Sequence, residues 1–288
     1  MAEKSTKTTI LGGKPKWLKV KAPSSGEYLK TKKVVEKHSL NTVCEAASCP
    51  NVGQCWHEGA AAFMILGNIC TRHCSFCDVA TGRPDSVDHN EPDRLAQAVQ
   101  AMELQHVVIT SVDRDDLVDG GASHFANCIK KIRSLTTPPT IEVLTPDFRD
   151  KNNALQLVLE EKPEVFNHNI ETVPRLYSQV RPAANYDYSL KVLAQAALAG
   201  EEITAKSGIM LGLGESQKEV IVVLEDLHRV GVQYLTIGQY IRPSLTHHPV
   251  SRYWSPQEFN ELGKTALKMG FQRVESHPLA RSSYHAKK

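Results

Sequence analysis

The sequence has no apolar run approaching the roughly 18 residues that a bilayer span requires, so no transmembrane helix is expected. It opens without the apolar stretch of a secretory signal and without the Arg- and Ser-rich, acid-poor look of a transit peptide, which points to a cytoplasmic protein. Net charge is nearly absent, at +2 over 288 residues, so neither nucleic acid nor a membrane surface is expected as a partner. H-E-x-x-H and C-x-x-C-H are missing, and no Lys-Ser or Lys-Thr follows Gly212-Leu213-Gly214, which removes the phosphate loop. That stretch reads instead as room for close approach of adenosine or of backbone, and His247-His248 as a loop pair rather than a metal site. Residues 1–37 lack Arg and Asp but hold ten Lys and three Glu. They read as an extended arm: a solvated tail, or a docking surface for an acidic partner protein.

What is present begins with an apolar content of 41%, enough for a sizeable core. From residue 62 the chain alternates. Strand-like runs fall at Ala62–Leu66, His106–Thr110, Thr140–Leu144, Val165–Asn169, Lys206–Leu211 and Gln233–Ile237, with amphipathic segments at helical period after each. Six strand–helix units imply a parallel sheet with right-handed crossovers, and eight would close a barrel. The expected fold is therefore α/β, a partial (β/α)6 TIM-like barrel. Residues 1–60 form a cysteine-bearing N-terminal extension, 61–270 the barrel, and 271–288 a C-terminal tail closing over its mouth. Reactive groups belong at the C-terminal ends of the strands.

Seven cysteines in a chain without a secretory signal are not expected to be disulfides, and six of them fall between residues 44 and 77. Cys70, Cys74 and Cys77 are spaced C-x3-C-x2-C in a loop just after the first strand. A four-iron cluster takes one ligand per iron, so three local thiolates leave one iron open to a bidentate amine and carboxylate, which the methionine end of S-adenosylmethionine carries. Zinc is the rival, although zinc sites usually pair C-x2-C with a second pair or with His. Cys44, Cys49 and Cys55 form a second trio, read as a second cluster or as a structural zinc with a distant fourth ligand. Residues 38–60 around them read as loop. Cys128, on the apolar face with Phe125, Ile129 and Ile132, reads as an inert core thiol.

The aromatic Phe76 between Cys74 and Cys77 makes the first trio resemble the signature of the radical S-adenosylmethionine superfamily. The two trios, together with Arg281-Ser282-Ser283-Tyr284, resemble the lipoyl synthase family. The likeness runs from about residue 14 to 286 and takes in Thr110-Ser111-Val112-Asp113-Arg114-Asp115-Asp116-Leu117, Asn167 to Thr172, Gly208 to Glu215, and Gly238 to Ser244. It implies two [4Fe–4S] clusters and S-adenosylmethionine as cofactors, with Ser283 as the fourth ligand of the second cluster. It implies insertion of two sulfur atoms, at C6 and C8 of an octanoyl chain held on a lysine of a lipoyl-carrier domain or of the glycine cleavage H protein. The second cluster is then the sulfur source, and a small electron-transfer protein supplies electrons. Those carbons carry unactivated C–H bonds that no side-chain base can deprotonate, so a cofactor-borne radical is needed. Candidate S-adenosylmethionine contacts are Phe76 and the strand-end residues Thr110, Ser111, Asn169 and Glu171, with Arg181 to grip a carboxylate.

Overall fold

The computed structural model describes residues 14–20, 25–57 and 61–283. Residues 1–13 and 21–24 of the Lys-rich arm, and Tyr284 of the C-terminal motif, lie outside them.

The described part of the arm differs from an extended chain. Gly26–Lys37 is a helix, α1, whose N-cap Ser25 accepts a hydrogen bond from the Tyr28 N–H. Thr31 and Val35, four residues apart, face inward, and the lysines take the other sides. Thr31 donates to the Trp56 carbonyl, and Tyr28 stacks on the Trp56 ring with centroids 5.1 Å apart. The cysteine segment is not plain loop either. After a short strand β1 (Asn41–Thr42) come two short helices, α2 (Val43–Ala46) and α3 (Val52–His57). Thr42 is the N-cap of α2, its hydroxyl accepting from the Glu45 N–H.

The barrel then follows in chain order: β2 (Ala62–Ile65), β3 (Ile69–Cys70), β4 (Ala80–Thr81), α4 (Glu91–Ala101), β5 (His106–Ser111), α5 (Ala122–Arg133), β6 (Thr140–Leu144), α6 (Ala154–Leu159), β7 (Val165–Asn167), α7 (Tyr177–Val180), α8 (Tyr186–Leu198), β8 (Thr204–Leu211), α9 (Gln217–Arg229), β9 (Tyr234–Gln239), α10 (Pro256–Met269) and β10 (Arg273–Ser276). The main sheet has the order β1-β2-β5-β6-β7-β8-β9-β10 and does not close. Every pair from β2 to β10 is parallel, while β1 lies antiparallel on β2. The six expected strand–helix units are all present. The sheet also continues past residue 270, because β10 adds a further strand with Arg273 opposite Tyr234.

Helices cover the outer face. One core, with Leu95, Phe125, Ile129 and Ile132, lies under α4 and α5; another, with Val223, Leu224, Phe259 and Leu262, lies under α9 and α10. Ser216–Glu219 and Ser255–Glu258 form capping boxes that start α9 and α10 cleanly after their loops. Cys128 is fully buried in the first core, and burial pushes its thiol well above the ordinary range, as an inert core residue requires. Because every crossover runs the same way, the loops after β2, β5, β6, β7, β8 and β9 gather at one end of the sheet. Among the described residues no helix is long and apolar enough to cross a membrane.

Candidate active site

The first cysteine loop begins at a sharp turn. Leu66 and Gly67 take positive φ values of 68° and 94°, which swing the chain off β2. The Leu66 N–H donates to Glu91 at 2.8 Å, and Arg114 donates to the Leu66 carbonyl at 3.2 Å. Cys70 then lies on β3, which pairs with β4.

The loop is fastened to the residues after β5. Thr71 N–H donates to the Asp113 carbonyl at 3.0 Å, Asp115 N–H to the Thr71 hydroxyl at 3.0 Å, and Asp113 N–H to the Cys70 sulfur at 3.3 Å. Arg72, only 8% exposed, reaches Asp115 with two donors at 2.7 and 2.8 Å, and Asp147 at 2.8 Å. On the other side Ser75 N–H donates to the Val180 carbonyl at 3.0 Å, and His248 N–H to the Ser75 carbonyl at 2.8 Å. His247 Nε2 lies 3.0 Å from the Cys77 carbonyl oxygen. The histidine pair thus braces the cysteine loop.

Burial pushes the Cys70 and Cys77 thiols up to about 12, with Asp113 adding to the rise at Cys70. Cys74 is also raised by burial, against the opposing pull of the Arg181 guanidinium. Bound metal reverses this preference, because a coordinated thiol gives up its proton. Among the described residues no three His, Cys, Asp or Glu side chains converge closely enough to hold one metal ion. Cluster ligands need not converge, since each meets a different iron. His73 also lies in this loop, but with no three such groups converging, the three thiols fit an iron–sulfur cluster better than zinc.

Of the strand-end candidates, Asn169, Glu171 and Arg181 come together. Arg181 donates to the Asn169 carbonyl at 2.9 Å, while its Nε is buried without a partner. Glu171 has a positive φ of 65°, and burial raises its carboxyl against the pull of Arg181, Asn169 and Arg281. The Ser111 hydroxyl is also buried and unpartnered. Such orphaned groups beside three thiols are what a polar ligand with a carboxylate would pair. Phe76 packs half-buried on the second core. Thr110 stands apart: its hydroxyl donates to the Leu144 carbonyl at 2.9 Å, within the sheet. In the glycine stretch the close approach is backbone. A Cβ on Gly212 would collide with Gln239 and the Arg252 carbonyl, and Glu215 accepts from the N–H groups of Gly212, Leu213 and Gly214.

The second trio begins beside the start of β2, because β1 runs antiparallel to β2 and Cys44 lies against Ala62, and hydrogen bonds tie its segment to the first loop and to the tail. Cys44 is buried on α2 and pushed up to about 11, mainly by burial; Cys49 follows α2 and Cys55 sits on α3. Ser48 donates to Asp78 at 2.6 Å, which joins this segment to the first cysteine loop. Asn51 donates to the Leu279 carbonyl at 2.6 Å, which joins it to the tail. Arg281 lies where the charges of both Cys49 and Glu171 act on it. The tail does not simply cap the mouth. It crosses the inner face of the sheet, with Ser282 donating to Asn169 at 2.9 Å and Lys206 donating to the Ser282 carbonyl at 2.6 Å. Ser283 follows, half-buried.

Sequence reasoning missed Arg72, Asp115 and Asp147, and also the buried pair Glu142 and Lys206. Only some of these left a local trace, and none of it showed the contacts they make. Four charges crowd into residues 113–116 just after a strand, and Glu142 and Lys206 interrupt otherwise apolar strand runs.

An open, mostly parallel α/β sheet with a three-cysteine loop at the end of its first long strand defines a radical-generating class of enzyme. The family model of the radical SAM superfamily matches residues 64–227, more than half the chain, and the protein belongs to that superfamily. Its members are enzymes that carry a [4Fe–4S] cluster and use S-adenosylmethionine. Solved structures agree on the fold. Streptococcus suis SuiB bound to S-adenosylmethionine aligns at a TM-score of 0.57 and 10% identity, over 88% of this chain and 56% of that one. Methylornithine synthase gives 0.56 and 14%, over 87% and 71%. HydG, a maturase of the [FeFe]-hydrogenase, gives 0.57 and 13%, over 86% and 67%. The chain thus spans just over half the length of SuiB.

Proposed function

We propose that this radical SAM enzyme is a lipoyl synthase, which inserts sulfur at C6 and C8 of an octanoyl chain on the lysine of a lipoyl-carrier domain or glycine cleavage H protein. In this reading Cys70, Cys74 and Cys77 hold the cluster that meets S-adenosylmethionine, and Cys44, Cys49, Cys55 and Ser283 hold a second one. The cofactors supply an electron, a hydrogen-abstracting radical and the sulfur. Electrons enter from a small electron-transfer protein.

The observation that carries the reading is that the segments bearing both cysteine sets and the tail are tied directly to one another. Ser48 bonds Asp78, one residue past Cys77. Asn51 bonds Leu279. Arg281 senses Cys49 and Glu171 together. A purely structural second trio would have no need to be tied to both the radical-forming loop and the tail.

The chain's own groups have distinct tasks in this scheme. Arg181, with its unpartnered Nε, offers a fixed cation to a carboxylate, and Ser111 offers a free hydroxyl. Arg72 and its carboxylates hold the first loop rigid without touching the reacting atoms. The test is turnover of an octanoyl-lysyl peptide with S-adenosylmethionine and a strong reductant, alongside iron and sulfide analysis. The expected result is lipoyl product, 5′-deoxyadenosine and about eight irons per chain. Formation of 5′-deoxyadenosine with no lipoyl product, and about four irons, would leave a radical SAM enzyme with a different substrate.

A further inference from the structure

We propose that Lys206, held by Glu142, is a positioning residue whose ammonium anchors the C-terminal strap inside the barrel through the Ser282 carbonyl and so sets where Ser283 stands.

The strap has a slot to lie in. Along a strand, alternate residues share a face, so Lys206 and Gly208 of β8 both point inward. A Cβ on Gly208 would stand 2.8 Å from the Asn169 side-chain oxygen and 3.1 Å from the Ser282 hydroxyl. On the neighbouring strand β9, a Cβ on Gly238 would run into the Ala280 carbonyl oxygen. Neither glycine has a left-handed φ. Their lack of a side chain is therefore needed for space rather than for conformation, and the space is filled by residues 280–282.

The ammonium is fully committed. It has three protons, and it has three acceptors: Glu142 Oε1 at 2.8 Å, Glu142 Oε2 at 3.1 Å and the Ser282 carbonyl oxygen at 2.6 Å. Glu142 is 1% exposed and Lys206 6%. Burying such a pair is expensive, and an apolar pair of the same volume would fill the barrel as well or better. What an apolar pair cannot do is hold a carbonyl. Asn167 also donates to Glu142 at 3.0 Å, which fixes the carboxylate and, through it, the lysine.

Peptide geometry carries the hold one residue further. The Ser282 carbonyl and the Ser283 nitrogen and Cα lie in one rigid plane, so fixing that carbonyl fixes the start of Ser283. Asn51, from the segment between Cys49 and Cys55, holds the strap upstream at Leu279. The strap is thus tied at one side to the second cysteine segment and at the other to the barrel floor. That Ser283 serves as a cluster ligand rests on the function proposed above; the anchor itself does not.

The test is amide hydrogen exchange on the metal-free full-length chain, comparing native protein with Glu142→Gln/Lys206→Met, which removes both charges together, and with Gly238→Ala, which displaces the strap sterically. The expected result is exchange about tenfold faster or more across residues 277–283 and at the Gln239 amide, which donates to Pro278, in both variants, with α5 unchanged. Unchanged exchange in the charge-free variant, with faster exchange in Gly238→Ala, overturns the anchor. If the double variant loses α5 protection as well, Glu142→Gln alone replaces it; a few-fold rise supports the anchor and no rise overturns it. In iron-loaded protein the spectrum of the second cluster should change while the first keeps its own. A native chain that takes up only about four irons defeats the two-cluster reading and leaves the exchange result standing. Eight irons with identical spectra in native and variant would overturn the link from Lys206 to Ser283.

Discussion

Ser48 donates its hydroxyl hydrogen to Asp78 at 2.6 Å, and this one bond joins the two cysteine segments. Ser48 also has a positive φ of 50°, which ends α2 and turns the chain toward Cys49. Replacing it with glycine keeps that backbone at no steric cost and removes only the hydroxyl. An exposed hydrogen bond contributes on the order of 1 kcal/mol, so the two loops should drift rather than separate. For Ser48→Gly we expect 5′-deoxyadenosine formed per lipoyl product to rise about twofold to fivefold. An unchanged ratio would show that other contacts hold the loops in register.

The two trios should fail differently. Cys74 belongs to the loop beside Arg181 and Glu171, whereas Cys44 is buried on α2. Cys74→Ala is expected to abolish both S-adenosylmethionine cleavage and sulfur insertion. Cys44→Ala is expected to keep cleavage and lose insertion. Normal lipoyl product from Cys44→Ala, measured by mass spectrometry of the octanoyl-lysyl peptide, would remove the second trio from the chemistry.

How legible this was in the sequence depends on how local each cause is. The strand–helix alternation is local periodicity, and the strand Thr140–Leu144 falls where the sequence puts it. The cysteine spacings are local too. The helix α1 was hidden because its lysines dominate composition, while only Thr31 and Val35 mark the buried side. β10 was missed because Arg273-Val274-Glu275-Ser276 has no apolar run; its pairing with β9, not its own composition, makes it a strand. Thr110 has a site residue's position at a strand end, yet a neighbouring strand takes its hydroxyl. Arg72, Asp115 and Asp147 are brought together from three separate loops, so only the assembled fold reveals them.

Arg72 holds those loops with a fork that matches carboxylates on two sides. Asp147 has its side chain fully buried, and Arg72 is the one charged donor paired with it among the described residues. Arg72→Met strands that charge, and breaking a buried pair from one side costs about 3–5 kcal/mol. We expect a loss of that size in urea unfolding of the metal-free protein, together with poorer iron retention. Arg72→Lys keeps the charge but loses the two-pronged contact with Asp115, so its loss should be smaller. Equal unfolding of native protein and Arg72→Met would mean that the cysteine loop is held from the Val180 and His248 side alone.

His168 gives the metal-free fold an acid-sensitive point. It is buried, with Nδ1 2.9 Å from the Thr145 carbonyl oxygen and Nε2 3.0 Å from the Ser189 hydroxyl. The neutral ring satisfies both, donating from Nδ1 and accepting at Nε2, whereas a second ring proton would put a charge in a buried site and force the Ser189 hydroxyl to turn and accept. Burial, helped by the nearby Arg181, lowers its pKa from 6.5 to about 4. Between those values the unfolded chain binds the proton and the folded chain does not, so stability falls as pH falls through that window. The shift corresponds to about 3 kcal/mol, present in full above pH 6.5 and gone by about pH 4. In His168→Gln an amide takes over the two hydrogen bonds without titrating. Urea midpoints measured from pH 7 to 4 should therefore drop more steeply for the native protein than for the variant, and parallel curves would place the acid sensitivity elsewhere.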